Sequence, residues 1–129
     1  MLLGNYFQNI SRKYKKIFFS GISFNSKQIK KNYIFFAIKG NQIDGNNFIS
    51  IAIKKGSKII VTERKQDEFQ NGILFIHTKN IRKLLAEVSF KIFDKKPNNL
   101  IAVTGTNGKS SIADFYYQIL KLNNKKVAS

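Results

Sequence analysis

The sequence contains no cysteine and no tryptophan, and it has a single proline among 129 residues. Without cysteine the chain can form neither disulfides nor thiolate–metal sites. No apolar run approaches the roughly 20 residues that a membrane-spanning helix needs. The N-terminus also lacks the basic segment and long apolar segment of a signal peptide. We therefore expect a cytoplasmic protein with no membrane insertion.

Acidic residues are scarce as well, with 7 against 23 basic residues and a formal net charge of +16. Such an excess can indicate a nucleic-acid or anionic membrane partner. Here the cations are nearly all lysines spread along the chain beside many isoleucines and asparagines, a composition typical of AT-rich genomes. Arginine, the residue suited to bidentate phosphate and base contacts, occurs only at Arg12, Arg64 and Arg82. We therefore expect exposed lysines and no nucleic-acid partner.

The sequence does contain a glycine-bracketed turn between a predicted strand, residues 100–103, and a helical pattern that begins at Ile112. The turn reads Thr104-Gly105-Thr106-Asn107-Gly108-Lys109-Ser110-Ser111. In this arrangement backbone amides and a helix N-terminus point at one spot and favour an anion. Lys109 can reach a β- or γ-phosphate, and the Ser110 hydroxyl can ligate Mg²⁺. The turn therefore predicts a nucleoside triphosphate site.

This turn resembles the ATP loop of the Mur ligases and of their folylpolyglutamate synthetase relatives, Thr-Gly-Thr-x-Gly-Lys. The generic phosphate loop has a glycine where this chain has Val103, and the resembling families share that departure. The resemblance implies an ATP-dependent amide ligase in which Lys109 stabilises the transferred phosphoryl group and Ser110 ligates Mg²⁺. The implied ATP contacts are Gly105, Thr106, Asn107, Gly108, Lys109, Ser110 and Ser111.

The first half of the chain resembles the N-terminal uridine-nucleotide domain of the MurE-type branch, which adds the third residue to the muramoyl peptide. That branch shows Asp-Ser-Arg, then Gly-Asp-Leu-Phe-Val-Ala-x-x-Gly, then Asp-Gly-x-x-Phe-Ile. The matching stretches here are Asn25-Ser26-Lys27, residues 32–40 (NYIFFAIKG) and residues 44–49 (DGNNFI). Two positions depart from the branch, Asn25 for Asp and Lys27 for Arg, while Ser26 is retained.

By this resemblance the uridine nucleotide of a UDP-N-acetylmuramoyl dipeptide contacts Phe24, Ser26, Asn41, Gln42 and Ile43. A uracil edge offers two carbonyl acceptors and one N–H, which amide side chains and backbone groups can complement. The residues alone leave a second interpretation open, in which Ser26 and Asn41 only close turns.

The predicted fold class is α/β, with a uridine-nucleotide domain in residues 1–96. Residues 97–129 would begin a doubly wound ATP-binding domain with one strand, the loop and one helix. We expect a helix near the N-terminus, strands at 17–19, 33–38, 58–62 and 73–76, and a polar loop at 63–72. Further helices are predicted at 48–53, capped by Asn46 or Asn47, and at 80–93. Residues 94–99, with the only proline, are the predicted linker.

The resemblance implies a ligase of peptidoglycan precursor synthesis that joins an amino acid, diaminopimelate or lysine, to UDP-N-acetylmuramoyl-L-Ala-D-Glu through an acyl phosphate. We expect the chain to be the front part of such an enzyme, inactive alone and monomeric at full length. Three alternatives stay open: the sister ligase that adds D-alanyl-D-alanine, a non-catalytic nucleotide-binding module, and a basic RNA-binding protein. The sister ligase has a loop that usually begins Gly-Ser, whereas this chain has Gly105-Thr106.

Overall fold

The computed structural model of the chain describes residues 1–65, 68–93 and 97–127. The chain divides into two compact units, Met1–Asp94 and Lys95–Ser129. The predicted linker at 94–99 lies partly outside the described residues. Within the described part, no helix is long and apolar enough to cross a membrane.

The first unit is built around a five-stranded sheet with the order β1-β2-β3-β5-β4. Its strands are β1 Gly21–Ser23, β2 Tyr33–Phe36, β3 Ile59–Thr62, β4 Phe69–Gln70 and β5 Ile73–His77. Strands β1, β2, β3 and β5 are mutually parallel, and β4 is antiparallel to β5. The carboxyl ends of four strands therefore lie along one edge of the sheet, where parallel α/β sheets commonly bind ligands.

Both faces of this sheet are covered, because alternate strand residues point to opposite sides. On one face Ile34, Phe36 and Val61 pack against the N-terminal segment and helix α2, Ile81–Ile92. On the other face Phe35 and Ile60 pack with Ala52 of helix α1, Ile49–Lys54. The predicted α/β class is confirmed for this unit.

Helix α2 is capped at its N-terminus by two side chains. The Asn80 carboxamide oxygen accepts a hydrogen bond from the Lys83 amide at 2.9 Å, and Glu63 accepts one from the Ile81 amide at 3.0 Å. Both bonds satisfy amides that have no acceptor within the helix. The amphipathic pattern predicted this helix to within one residue at each end.

The N-terminal prediction of a helix and a strand is wrong. Residues 1–16 contain two short 3₁₀ helices, Leu3–Asn5 and Arg12–Tyr14. The segment folds back on itself, and the Leu3 amide donates to the Ile17 carbonyl at 2.9 Å. These long-range bonds take backbone groups that a helix would use. The predicted strand at 17–19 is reduced to one bridge, between Phe18 and Leu2.

Two predictions between residues 44 and 72 also need correction. Asn46 and Asn47 do not cap α1, because Asp44 instead caps a preceding 3₁₀ helix, Gly45–Phe48. The predicted polar loop at 63–72 contains strand β4, which pairs with β5. The turn between them is Asn71-Gly72, with φ of 51° and 78°, and Asn-Gly is the strongest short hairpin signal in a sequence.

In the second unit, helix α3 spans Lys109–Leu122, three residues longer at its start than the apolar pattern predicted. The predicted strand at 100–103 is wrong: these residues form no strand and pair with no neighbour among the described residues, and Leu100 is 88% exposed. A strand requires a neighbour for its backbone groups, and residues 97–127 supply none. No described residue of α3 is buried.

Candidate functional site

A cavity of about 640 Å³ opens at the carboxyl ends of β1 and β2. It is lined by Phe24, Asn25, Ser26, Lys27, Ile38, Gly40, Ile43, Gly45, Phe48, Arg82, Leu85 and Ala86. Most of these side chains are apolar or small, with a few polar groups among them. That composition is typical of a small-molecule site.

The segment after β1 forms one wall of the cavity and is held by a short hydrogen-bonded turn. The Asn25 amide donates to the Ser23 hydroxyl at 3.0 Å, and the Asn25 side chain accepts from the Lys27 amide at 2.9 Å. The turn leaves Ser26 almost buried at 9% exposure and Phe24 64% exposed. A polar hydroxyl therefore lies within the cavity wall, with an aromatic ring at its rim.

The opposite wall is a narrow hairpin between β2 and the 3₁₀ helix Gly45–Phe48. Lys39 and Asp44 form a bridge, and the Gly40 amide donates to the Ile43 carbonyl at 2.8 Å. This pairing turns Ile43 towards the cavity and leaves Asn41 and Gln42 exposed at the tip. Of the five predicted uridine contacts, Phe24, Ser26 and Ile43 line the cavity. Asn41 and Gln42 do not.

Asp44 closes the base of this hairpin, outside the cavity lining, and accepts three hydrogen bonds. Its Oδ1 accepts from the backbone and side chain of Asn46 at 2.8 and 2.7 Å, and its Oδ2 accepts from the Arg64 guanidinium at 2.8 Å. The Asn46 hydrogen bonds, backbone first, and the Arg64 charge hold the pKa of Asp44 below its usual range. The sequence motif included Asp44 but gave no role to Arg64.

Two cations line the cavity, Lys27 and Arg82, and no acidic side chain is among the residues that line it. Arg82 comes from the first turn of α2 and donates to the Lys39 carbonyl at 3.3 Å. Sequence reasoning missed Arg82, since no local pattern connects a helix residue with a hairpin some 40 residues earlier in the chain. Together these cations make the cavity suited to an anionic ligand.

The predicted phosphate loop lies in the second unit. Gly108 has a left-handed φ of 74° and precedes the first residue of α3, so the loop enters the helix through a conformation that favours glycine. Ser110 and Ser111 are exposed in the first helical turn, where backbone amides lack acceptors within the helix. The Lys109 ammonium donates to the carbonyls of Gly105 and Thr106. Loop, lysine and hydroxyls are thus brought together on one helix end.

Solved structures resemble this chain. A MurF ligase from Thermotoga maritima, determined in complex with ADP, aligns with a TM-score of 0.62 at 28% identity, over 78% of this chain and 23% of that one. A ligase from Acinetobacter baumannii, named for joining D-alanyl-D-alanine, aligns with a TM-score of 0.59 at 22% identity, covering 81% of this chain and 23% of that one. This second likeness shows the fold alone.

Curated relatives are more similar in sequence. The UDP-N-acetylmuramoyl-L-alanyl-D-glutamate–2,6-diaminopimelate ligase of Rickettsia prowazekii is 39% identical over 93% of this chain and 25% of its own length. The UDP-N-acetylmuramyl-tripeptide synthetase of Borrelia garinii is 39% identical over 84% of this chain and 22% of its own length. The chain therefore spans about a quarter of these relatives.

The family model described as "Mur ligase family, catalytic domain" matches residues 18–102. This range includes the whole sheet and both walls of the cavity. The sequence motifs, the fold and the relatives agree with that match. The chain belongs to the Mur ligase family.

Proposed function

We propose that this chain provides the uridine-nucleotide domain and the ATP loop of a MurE-type ligase. That enzyme would join the third amino acid to UDP-N-acetylmuramoyl-L-Ala-D-Glu. The observation that carries the proposal is the cavity at the carboxyl ends of β1 and β2, where Phe24, Ser26 and Ile43 meet. Curated relatives at about 39% identity bear the corresponding ligase names, which supports the MurE-type substrate over the alternatives.

The cavity chemistry fits a uridine nucleotide. Phe24 supplies an exposed ring at the rim against which a flat base can stack, and Ser26 supplies a hydroxyl that can donate or accept. Lys27 and Arg82 supply positive charge for a diphosphate. Asn41 and Gln42 lie at the hairpin tip, from which their amides could contact a bound ligand after a change of side-chain rotamer.

The loop at residues 104–111 would hold ATP. In the proposed reaction the substrate's terminal carboxylate attacks the γ-phosphorus, ADP leaves, and an acyl phosphate forms. The amine of the incoming amino acid then attacks the acyl carbon and displaces phosphate, which gives the amide. Lys109 and the first amides of α3 would stabilise negative charge on the transferring group.

The loop offers Mg²⁺ one oxygen donor. The exposed Ser110 hydroxyl is an oxygen donor of the kind Mg²⁺ accepts, and it lies in the first turn of α3 beside Lys109. Ser110 would hold Mg²⁺ as one ligand, and the ion would neutralise charge on the phosphates of the bound nucleotide. Among the described residues, no cluster of three or more His, Cys, Asp or Glu could hold a metal by itself.

The proposal is tested by titrating the isotope-labelled chain with UDP-N-acetylmuramoyl dipeptide and following backbone amides by NMR. We expect shifts at residues 24–26 and 40–45. Ser26→Ala should weaken binding several-fold, because one hydrogen bond contributes about 0.5–1.5 kcal/mol. Ser50→Ala is the matched control, since Ser50 is exposed on α1 and does not line the cavity. No response anywhere in residues 24–45 would rule out the uridine assignment.

A second titration, with ATP and Mg²⁺, tests the loop separately. Amides of residues 105–111 should shift, and Lys109→Ala should weaken the response. Lys121→Ala is the control, because it removes the same charge from the opposite end of α3. If ATP shifts the amides of Lys109→Ala as much as those of the wild type, the loop is an ordinary turn and does not hold ATP.

A further inference from the structure

A closed ring of hydrogen bonds connects the cavity hairpin to the end of strand β3. Asn46 donates to Asp44, and its side-chain oxygen accepts from the Thr62 hydroxyl at 2.8 Å. The Thr62 hydroxyl in turn accepts from the Arg64 amide at 3.1 Å. The Arg64 guanidinium closes the ring on Asp44 at 2.8 Å. We call these four residues the Asp44–Arg64 ring.

The ring adjoins residues that line the cavity. Gly40, Ile43 and Gly45 line the cavity, and Asp44 sits between the last two, whereas no member of the ring is among the lining residues. Thr62 is fully buried at the last position of β3. Its hydroxyl is used as both donor and acceptor, so its orientation is fixed by two partners. The hairpin is thereby attached to the most buried strand of the sheet.

The ring is also the set of side-chain bonds that joins the hairpin to β3. Among the described residues, the other hydrogen bonds of the hairpin are internal to it, run to Ile38, two residues after β2, or come from Arg82. Without the ring, residues 40–43 at the tip of the hairpin could change their angle to the sheet. A change of about 1 Å at Ile43 would alter the cavity wall, and small misplacements of binding groups have large effects.

We propose that Thr62 and Arg64 are positioning residues for the cavity, which fix the Gly40–Asp44 hairpin in the shape that a uridine nucleotide requires. This inference rests on the proposed function of the cavity. It assigns a role in binding to two residues that do not line the cavity and that lie outside the motifs of the sequence. They act through Asn46 and Asp44 on Ile43.

The test measures the affinity of the full chain for UDP by isothermal titration calorimetry, at a temperature where every variant is folded. Thr62→Val keeps the side-chain shape and removes both hydroxyl bonds that hold the hairpin. The displaced hairpin should cost UDP binding the equivalent of one hydrogen bond to the ligand, so the Kd should rise about 2- to 12-fold. Thr62→Ser keeps the hydroxyl and should stay within about twofold of the wild type. Thr62→Ser also removes a buried methyl group and should lower the melting temperature, so a Kd near the wild-type value in this variant separates positioning from general stability.

Arg64 gives a second pair of variants that does not endanger folding, because its side chain is 59% exposed. Arg64→Ala should weaken UDP binding, and Arg64→Lys should recover part of the loss. Ile59→Val is the control for general destabilisation. It removes one buried methyl from the opposite end of β3, where Ile59 is 2% exposed, and it should leave the Kd for UDP unchanged.

The outcomes separate this inference from the proposed function. A wild-type chain that does not bind UDP contradicts the proposed function, and the inference falls with it. A wild-type chain that binds UDP while Thr62→Val and Arg64→Ala bind equally well overturns the inference alone. The same holds if Ile59→Val weakens binding as much as Thr62→Val does.

Discussion

Adding one methyl group at Gly45 should damage both the stability of the first unit and its cavity. A Cβ built there would lie 2.5 Å from the Ile38 carbonyl oxygen, 2.7 Å from the Ile38 nitrogen and 2.9 Å from the Ala37 carbonyl carbon. All three are backbone atoms of the segment that follows β2, so no side chain can rotate away. The Gly45 amide also donates to the Ile38 carbonyl at 2.9 Å. The methyl group must therefore push two backbone segments apart.

The magnitude follows from these contacts. Overpacking of this kind costs about 1–3 kcal/mol, and loss of the Gly45–Ile38 hydrogen bond adds about 0.5–1.5 kcal/mol. We expect Gly45→Ala to lower the free energy of unfolding by about 1.5–4.5 kcal/mol in total. At about 4–8 °C per kcal/mol for a domain of this size, the melting temperature should fall by about 6 °C or more. Thermal melts followed by circular dichroism measure this change.

Gly72→Ala is the matched control, because an alanine there meets no steric contact and strains only the backbone conformation. Nothing lies within 4 Å of a Cβ at Gly72, but its φ of 78° is unfavourable for alanine, at a cost of about 1–2 kcal/mol. Gly72→Ala should therefore lose less stability and should bind UDP like the wild type, whereas Gly45→Ala should lose both. A Gly45→Ala variant as stable as the wild type would refute the close backbone contact.

Three further predictions concern stability. The folded-state pKa of Asp44 is lowered, so the ionised carboxylate stabilises the fold above the unfolded pKa of about 3.9, and this stabilisation is lost as pH falls through the folded pKa. Asp44→Asn should therefore make thermal melts less sensitive to falling pH. An unchanged pH dependence of the melting temperature would contradict this role of Asp44. Ser57 is fully buried and donates to the Tyr33 carbonyl at 2.8 Å, so Ser57→Ala should cost about 1–3 kcal/mol in urea unfolding, while the exposed Ser50→Ala should cost little. Hydrogen exchange should be slower in β2 and β3 than in α3, since no described residue of α3 is buried; the reverse order would contradict the burial pattern.

The sequence predicted the elements whose signals are local. Helix α2 has a complete apolar stripe and an Asn80 cap, and β2 and β3 are short runs of β-branched and aromatic residues. Each of these segments has the periodicity and the end signals that its structure requires. The Asn71-Gly72 turn between β4 and β5 is also a local signal, and the prediction of a polar loop at 63–72 missed it.

The predictions for the N-terminal segment and for residues 100–103 were wrong for a different reason. Their apolar residues indicate burial or extension, but which conformation forms depends on partners elsewhere. The Leu3 amide bonds to Ile17, a contact that no local pattern contains. Residues 100–103 have strand composition and no neighbour among the described residues of their unit.

The residues of the candidate site also fall into those that the sequence predicted and those that it missed. Phe24, Ser26 and Ile43 lie in motifs that the family resemblance identified, and all three line the cavity. Arg82 and the Asp44–Arg64 ring depend on how β3 and α2 approach the hairpin. Their long-range contacts join residues that are 16 to 43 positions apart, so only the tertiary structure could reveal them.

The two cations at the cavity also have a kinetic consequence. Lys27 and Arg82 line the cavity without an acidic residue beside them, in a chain whose formal net charge is +16. A cleft of one sign attracts ligands of the other sign from a distance and accelerates their encounter. Salt shortens the reach of that attraction, to about 8 Å at physiological ionic strength. For an anionic nucleotide, capture would therefore slow as salt rises, while escape would depend mainly on the short-range contacts within the cavity.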